Sequence, residues 1–361
     1  MEKIKCCVVG LGRIASLLED DALREKPCTH AGAIAANDDC VLAAGCDINE
    51  ERRRSFSEKW NSYYSKILPH TGADRRGQVL VYSDAKEMIK IHKPRILSVA
   101  THPDSHYYYC KLACEMQVPV VICEKPLADN IKEARKIAKL AANNNPIIIT
   151  NHERRYSLDY MRAKTILSEE KLGALLSVRA VLYMGKTAKL IDQFWHDGTH
   201  LADIIMFLTD SKLKHKRSWG EKLISHNGTA WLEGELRRSD AKRANKPGLK
   251  NIFPVPVIIE VGAGRDHLVF EIEFSCGKGR LRIGNGVFEV MESAPSPYAE
   301  KFRSLKNTGE EFKGATGYFA NMLKDAAACV RDPKKVPVSG AADGLNVIEY
   351  LNSVKAWRNA V

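Results

Sequence analysis

The chain has 361 residues, too many for one ordinary hydrophobic core, and two domains are expected. Its 45% hydrophobic and 27% charged content is that of a soluble globular protein, and no run approaches the ~20 apolar residues of a membrane span, which excludes a disordered or membrane-spanning chain. The formal charge is +11, yet no nucleic-acid-binding module and no interleaving of aromatic with basic residues accompanies it, so nucleic acid is not an expected partner.

Residues 1–5 lead directly into a strand, with no apolar signal-peptide core, and a cytoplasmic location is the expectation. A short apolar strand at 4–9 is followed by Gly10-Leu11-Gly12-Arg13-Ile14-Ala15 and a helix that is interrupted early. Residues 16–29 are polar and acidic, contain Pro27, and look like an insertion before a helical stretch at 30–37. A second strand at 40–46 ends at Asp47, a helix spans 50–64, and 66–78 reads as an irregular loop. Strands at 79–82, 95–100, 118–123 and 147–150 alternate with helices at 84–92, 105–116 and 130–144. That alternation predicts a parallel, doubly wound sheet with right-handed crossovers.

Beyond about residue 155 the pattern changes. Helices are expected at 158–168 and 200–208, with an alternating strand at 175–184 between them. Successive strands at 226–238, 253–262, 266–275, 279–283 and 286–292, without helices between them, predict a mostly antiparallel sheet. Helices at 318–331 and 340–357 close the chain. The boundary is placed at 150/151, with the last helix allowed to pack back on the first domain. The ten cysteines lie mainly in apolar runs and form no C-x-x-C pair, so buried free thiols are expected and no metal site.

Gly10-x-Gly12-x-x-Ala15 has the strand context of a dinucleotide loop. Gly10 permits the tight turn, Gly12 lets the backbone approach a pyrophosphate, and Ala15 allows close packing. Arg13 and Ile14 within the loop are expected cofactor contacts. Asp47 would accept hydrogen bonds from ribose hydroxyls and repel a 2′-phosphate, favouring NAD over NADP. Its distance from the loop exceeds the usual spacing, which the 16–29 insertion accounts for. The stretch 118–126 runs a buried strand into Cys123-Glu124-Lys125-Pro126, placing a lysine where open α/β sheets bind ligands. Proline fixes its own φ and lowers the cost of a cis bond, so it can hold Lys125 in one pose. Thr101, Pro103 and His106 follow another strand at the same edge, where Asp104 or Ser105 can also cap the next helix.

Gly10-x-Gly12-x-x-Ala15, Ala100-Thr101-x-Pro103-x-x-His106, Cys123-Glu124-Lys125-Pro126-Leu127-Ala128 and Pro337-Val338-Ser339-Gly340 together resemble, in order and spacing, the glucose–fructose oxidoreductase / inositol dehydrogenase (Gfo/Idh/MocA) family. The resemblance covers nearly the whole chain. It implies an N-terminal Rossmann domain, then an α+β domain with a large open sheet of the kind that often mediates homodimers or homotetramers. It makes Lys125 the group that binds the reacting hydroxyl and supports proton transfer, with Glu124 on the cofactor side.

The family's Asp-x-Gly-x-His-x-x-Asp stretch is matched by Gly198, His200 and Asp203, but position 196 is histidine and Asp197 follows it. His200 becomes the candidate acid–base, with an imidazole suited to neutral pH. Either His196 takes the role of the missing carboxylate or Asp197 has moved into it. Trp195, Thr199 and Arg155 are candidate substrate contacts. In Asn151-His152-Glu153-Arg154-Arg155-Tyr156, His152 replaces a family asparagine and Tyr156 a phenylalanine; Arg154 and Arg155 bind substrate or cofactor, or make structural salt bridges.

The expectation is an NAD-dependent oxidoreductase acting on a secondary alcohol of a sugar, polyol or sugar derivative. Two alternatives stand beside it: a glycoside-cleaving enzyme that uses tightly bound NAD for transient oxidation, and a non-enzymatic nicotinamide-binding regulator. Residues 211–250 hold eleven Lys/Arg against four Asp/Glu. They read as solvated loops or as a lure for an anionic substrate.

Overall fold

The structure is a computed structural model that describes residues 2–67, 78–142, 146–169, 171–185, 189–238 and 254–357. Most of the loop expected at 66–78 and residues 239–250 of the basic segment lie outside the described residues. The chain divides into two compact units, Met1–Tyr156 with Thr316–Leu345, and Ser157–Ala315 with Asn346–Val361.

The first unit is built on a parallel six-stranded sheet. Its strands are β1 (Ile4–Val9), β2 (Cys40–Cys46), β3 (Leu80–Tyr82), β4 (Ile96–Val99), β5 (Val120–Cys123) and β6 (Ile147–Thr150), in the order β3-β2-β1-β4-β5-β6. Every residue of β4, β5 and β6 is buried, as continuous apolar runs covered on both faces require. The crossovers supply α1 (His30–Ala35), α2 (Glu50–Ile67), α3 (Ala85–His92), α4 (His106–Glu115) and α5 (Ile131–Ala141). Asp84 and Asn130 cap α3 and α5 by accepting from the amides of Lys86 and Glu133.

Hydrogen bonding shows how the first crossover accommodates 16–29. The chain turns through residues 12–16 and makes a short 3-10 helix, Leu17–Asp20. The amides of His30 and Ala31 then donate to the carbonyls of Ile14 and Ala15, at 3.2 and 2.9 Å. In an unbroken α-helix those carbonyls would take the amides of residues 18 and 19, so about twelve residues are spliced into one helical path. Removing them returns Asp47 to roughly twenty residues beyond Ala15, the ordinary spacing for this loop.

The second unit begins with α6 (Leu158–Ser168) and β7 (Leu175–Met184), continues through α7 (Leu190–His196) and α8 (Gly198–Thr209), and then runs into strands. These are β8 (Ser211–Gly220), β9 (Gly228–Arg238), β10 (Val255–Ala263), β11 (Leu268–Cys276), β12 (Gly279–Gly284), β13 (Val287–Pro295) and β14 (Arg303–Asn307). The eight-stranded sheet has the order β14-β13-β12-β11-β7-β10-β9-β8, and only the β10–β7 pair is parallel. One face buries Ala180, Leu182, Leu232, Ile259, Ile272, Phe274 and Ile283. Alternate residues carry cross-strand ion pairs, among them Arg282–Glu271 at 2.6 Å and Arg217–Glu233 at 2.6 Å.

The sequence reading missed α7, β8 and β14. Its reading of 211–250 as solvated loops is corrected at Ser211–Gly220, which is a strand paired with the expected strand Gly228–Arg238. The reason is charge. Lys and Arg alternate with few apolar residues in 211–220, the pattern of a protected sheet edge, and they find carboxylates across the pair. Lys216 and Arg237 both sit on Glu235, so much of the local excess is neutralised in place.

Helices α9 (Tyr318–Arg331) and α10 (Ala341–Trp357) follow. Helix α9 returns to the first unit, where Phe319, Met322, Leu323, Ala326, Ala327, Cys329 and Val330 join one buried cluster with Ile34, Phe56, Trp60, Val8, Ile96, Ile122 and Ile149. The 337–340 stretch reaches β6, where Ile149 bridges Gly340 and the Thr150 amide donates to the Ser339 carbonyl at 3.0 Å. None of the ten cysteines is joined in a disulfide. Among the described residues, no helix is long and apolar enough to cross a membrane and no cluster of three or more ligating side chains occurs.

Candidate active site

Five strands of the first sheet end level with one another. Cys46 pairs with Val9, Val9 with Val99, Val99 with Cys123, and Cys123 with Thr150. The next residue of each strand therefore falls on one edge: Asp47, Gly10, Ala100, Glu124 and Asn151. This is the carboxyl edge, at which open α/β sheets bind ligands.

Gly10 has φ +80°, and a Cβ there would lie 2.7 Å from the Ala100 carbonyl oxygen. Only glycine fits between the two loops. At Gly12 the surroundings are open, with the Arg52 guanidinium 3.9 Å from an added Cβ as the nearest group. The backbone at Gly12 is therefore open to close approach by another group. Asp47, 6% exposed, sits beside it. Its Oδ2 accepts from the Leu11 amide at 2.7 Å and its Oδ1 from the Asn49 amide at 2.9 Å. The carboxylate thus locks the glycine loop to the end of β2. Arg52 lies 3.7 Å from Oδ2, and the sequence reading missed it. Its only sequence signal is its place in the first turn of α2. Arg13 is exposed and Ile14 half-buried in the same loop.

Lys125 follows β5 and its peptide bond to Pro126 is cis. Glu124, expected on the cofactor side, has its carboxylate engaged by protein groups instead. Oε1 accepts from His30 Nε2 at 2.7 Å and from Asn151 Nδ2 at 2.6 Å, and Oε2 from the Lys125 amide at 3.2 Å. Burial alone would push this carboxyl up; the His30 and Asn151 donors and the Lys125 charge outweigh it and hold the carboxyl below the usual range. Neighbouring Glu153 goes the other way, pushed up by burial with the Glu124 charge adding, against the pull of Arg154 and Lys125.

His106, expected at the cofactor, has both ring nitrogens beside backbone carbonyls. Its ring is fully buried, with Nε2 3.1 Å from the Thr101 carbonyl oxygen and Nδ1 3.1 Å from that of Pro126. Burial lowers its affinity for a proton against the effect of those carbonyls. It is a tie between the 101 loop and the Glu-Lys-Pro loop. Thr101 stays half-buried and accepts from the Ser105 hydroxyl at 2.7 Å; Pro103 opens a 3-10 turn, Pro103–Ser105, before α4. Arg155, offered as a substrate contact, is turned inward: it pairs with Asp343 at 3.1 Å and donates to the Val338 carbonyl at 3.1 Å. A guanidinium this buried needs such partners.

In the second unit, Asp197 joins α7 to α8. A Cβ on Gly198 would lie 2.6 Å from the Phe194 ring, so glycine is what allows the junction to close. The Thr199 hydroxyl donates to the His196 carbonyl at 2.8 Å and the His200 amide to the Asp197 carbonyl at 3.1 Å. Thr199, His200 and Asp203 are buried in α8, His196 is exposed, and Trp195 and Asp197 are half-buried. His200 and Asp203 share one helix face by their i, i+3 spacing.

Residues 4–152 match the family model described as an oxidoreductase family with an NAD-binding Rossmann fold. The chain is 24% identical over 166 residues to the myo-inositol 2-dehydrogenase of Thermotoga maritima, covering 46% of this chain and 41% of that protein. It is 22% identical over 172 residues to the D-glucoside 3-dehydrogenase of Escherichia coli, covering 48% and 41%. The matches thus span about two fifths of these curated relatives. Among solved structures, the WlbA dehydrogenase of Bordetella pertussis, in complex with NADH and UDP-GlcNAcA, superposes with a TM-score of 0.68 at 18% identity, over 100% of this chain and 98% of that one. A probable dehydrogenase from Thermotoga maritima gives 0.71 at 17%, over 99% and 97%. At such identities these structures establish the fold. Over residues 4–152, the stretch that the family model matches, the chain resembles the Gfo/Idh/MocA oxidoreductases.

Proposed function

We propose that the chain is an NAD-dependent oxidoreductase that moves a hydride between a secondary alcohol of a sugar, polyol or sugar derivative and a nicotinamide. The observation that carries the reading is the level carboxyl edge, which sets the Gly10–Gly12 loop, Asp47 and Lys125 on one rim of one sheet. The cofactor, when bound, supplies the hydride acceptor or donor. Gly12 and the loop amides hold its diphosphate, with Arg13 and Ile14 beside them, and Thr101 and Pro103 line the same rim. Asp47 selects a ribose with a free 2′-hydroxyl, which favours NAD. Lys125 binds the reacting hydroxyl and takes or returns its proton. His200 is the second acid–base group, and His196 or Asp197 orients the substrate ring, with Trp195 and Thr199 as further contacts. The names of the two dehydrogenase relatives, one acting on an inositol and one on a glucoside, support a carbohydrate-like substrate.

The test is NADH absorbance across a panel of sugars, polyols and glycosides, with sugar release followed in parallel. Net NADH with one class of substrate is expected, and Lys125→Ala should lower that turnover roughly 100- to 10,000-fold. Full turnover by the variant sinks the mechanism. Sugar release from glycosides without net NADH replaces it with transient oxidation.

A further inference from the structure

We propose that His30 is a positioning residue for Lys125, acting through Glu124, and that the 16–29 insertion seats it. The inference rests on the oxidoreductase reading for what Lys125 does, while the link between the residues stands on geometry. His30 is 1% exposed, and its Nε2 lies 2.7 Å from Glu124 Oε1. An ionised carboxylate only accepts, so Nε2 carries the hydrogen and Nδ1 faces the interior without a hydrogen-bond partner. Together with Asn151 Nδ2 and the Lys125 amide, this donor fixes both oxygens of Glu124. The carboxylate plane and its charge are thereby set next to Lys125. An apolar pair of similar volume would fill the same space without an unpaired Nδ1, so fold stability alone is a poor account of the pair.

Two carboxylates of the insertion fix the segments that flank His30. Glu19 Oε2 accepts from the Thr29 hydroxyl at 2.6 Å and the Cys28 amide at 3.2 Å, and Thr29 in turn caps α1 by accepting from the Gly32 amide at 3.0 Å. Glu25 accepts from the amides of Thr316 and Gly317 at 2.7 and 2.6 Å, just before α9. Phe319 of α9 packs edge-on against the His30 ring, with centroids 5.4 Å apart. Without His30, Glu124 would stay buried with one donor fewer and would take up a proton more readily. A neutral Glu124 no longer presents its charge to Lys125.

The experiment compares the full chain with His30→Gln, Glu124→Gln and the double variant. Modification of Lys125 by acetic anhydride, read by peptide mass, is measured beside kcat and KM. Both single variants should change the Lys125 modification rate in the same direction by about threefold or more, and the double variant no further. His30→Gln should lower kcat about tenfold while KM stays within about twofold, and should add nothing in the Glu124→Gln background. Additive losses, or an unchanged modification rate in His30→Gln, overturn the proposal. Should His30→Gln fail to fold by near-UV dichroism, the isosteric Glu124→Gln decides: unchanged Lys125 modification there overturns it equally. A wild-type chain that oxidises nothing in the panel defeats the oxidoreductase reading alone, because the modification pattern still judges the link.

Discussion

Individual residues on the carboxyl edge each do two things, and Asp47 is the clearest. Its carboxylate fastens the glycine loop through the Leu11 amide, and in the proposed function it also reads the cofactor's ribose. Arg52, 3.7 Å away, is the cation that a 2′-phosphate would use. Asp47→Asn keeps an acceptor for Leu11 and removes the charge. It should weaken NAD about tenfold and bring NADP closer to NAD, as read by fluorescence titration with both nucleotides; an unchanged ratio would remove Asp47 from cofactor selection. Residues of this kind were legible where their role is local. Gly10, Gly12 and Asp47 follow from strand–turn–helix spacing, and Lys125 from a buried strand that ends in Glu-Lys-Pro. His30, Arg52 and Asn151 were not, because each matters through a neighbour distant in the chain. The inward placement of His106 and Arg155 was hidden for the same reason: a histidine or arginine near a strand end gives no sign in sequence of whether it points to solvent or is stapled to carbonyls.

At the scale of elements, the insertion is a small folded device. Glu25 belongs to it and sits at the N-terminus of α9, a helix whose N-cap, Gly317, has no side chain to offer. A carboxylate there is favoured by the exposed amides and the helix dipole. Burial raises the Glu25 carboxyl, but the Gly317 and Thr316 amides and the Thr316 hydroxyl prevail and hold it below its ordinary value. The folded state therefore binds fewer protons than the unfolded one. The stability this group contributes is present above the ordinary carboxyl range and is lost as pH falls through the depressed folded value. Glu25→Gln should cost about 1 kcal/mol near neutral pH, with the gap to wild type closing as pH falls below about 4 in urea titrations. A gap that does not depend on pH would mean that the capping charge is not the source. The elements themselves were readable where periodicity is strong, as in β7, α5 and α9. Strands β8 and β14 were not, because charged edge strands lack the apolar alternation that marks a strand in sequence.

For the molecule as a whole, the main consequence is that the first unit is discontinuous. Phe319, Met322 and Leu323 lie more than 160 residues beyond Tyr156, yet each is at most 2% exposed within the sheet's core cluster. Each large apolar side chain buried this way contributes about 2 kcal/mol, and the three together rival the ~5–15 kcal/mol net stability of a typical domain. Residues 1–156 alone should therefore lack a cooperative urea transition and near-UV dichroism, and joining them to 316–345 through a short glycine-rich linker should restore both. Cooperative unfolding of 1–156 by itself would refute this account. The sequence alone determined the doubly wound sheet, the antiparallel character of the second sheet, the cofactor loop and the lysine on its rim. Those features are written in local periodicity and turn chemistry, over spans of a few residues. Only the tertiary structure decided that α9 completes the first core, that the insertion resumes an interrupted helix, and that His30 and Asn151 hold Glu124. Hydrophobic burial and the pairing of buried charges act between residues far apart in the chain, and local pattern carries no record of which distant partner they choose.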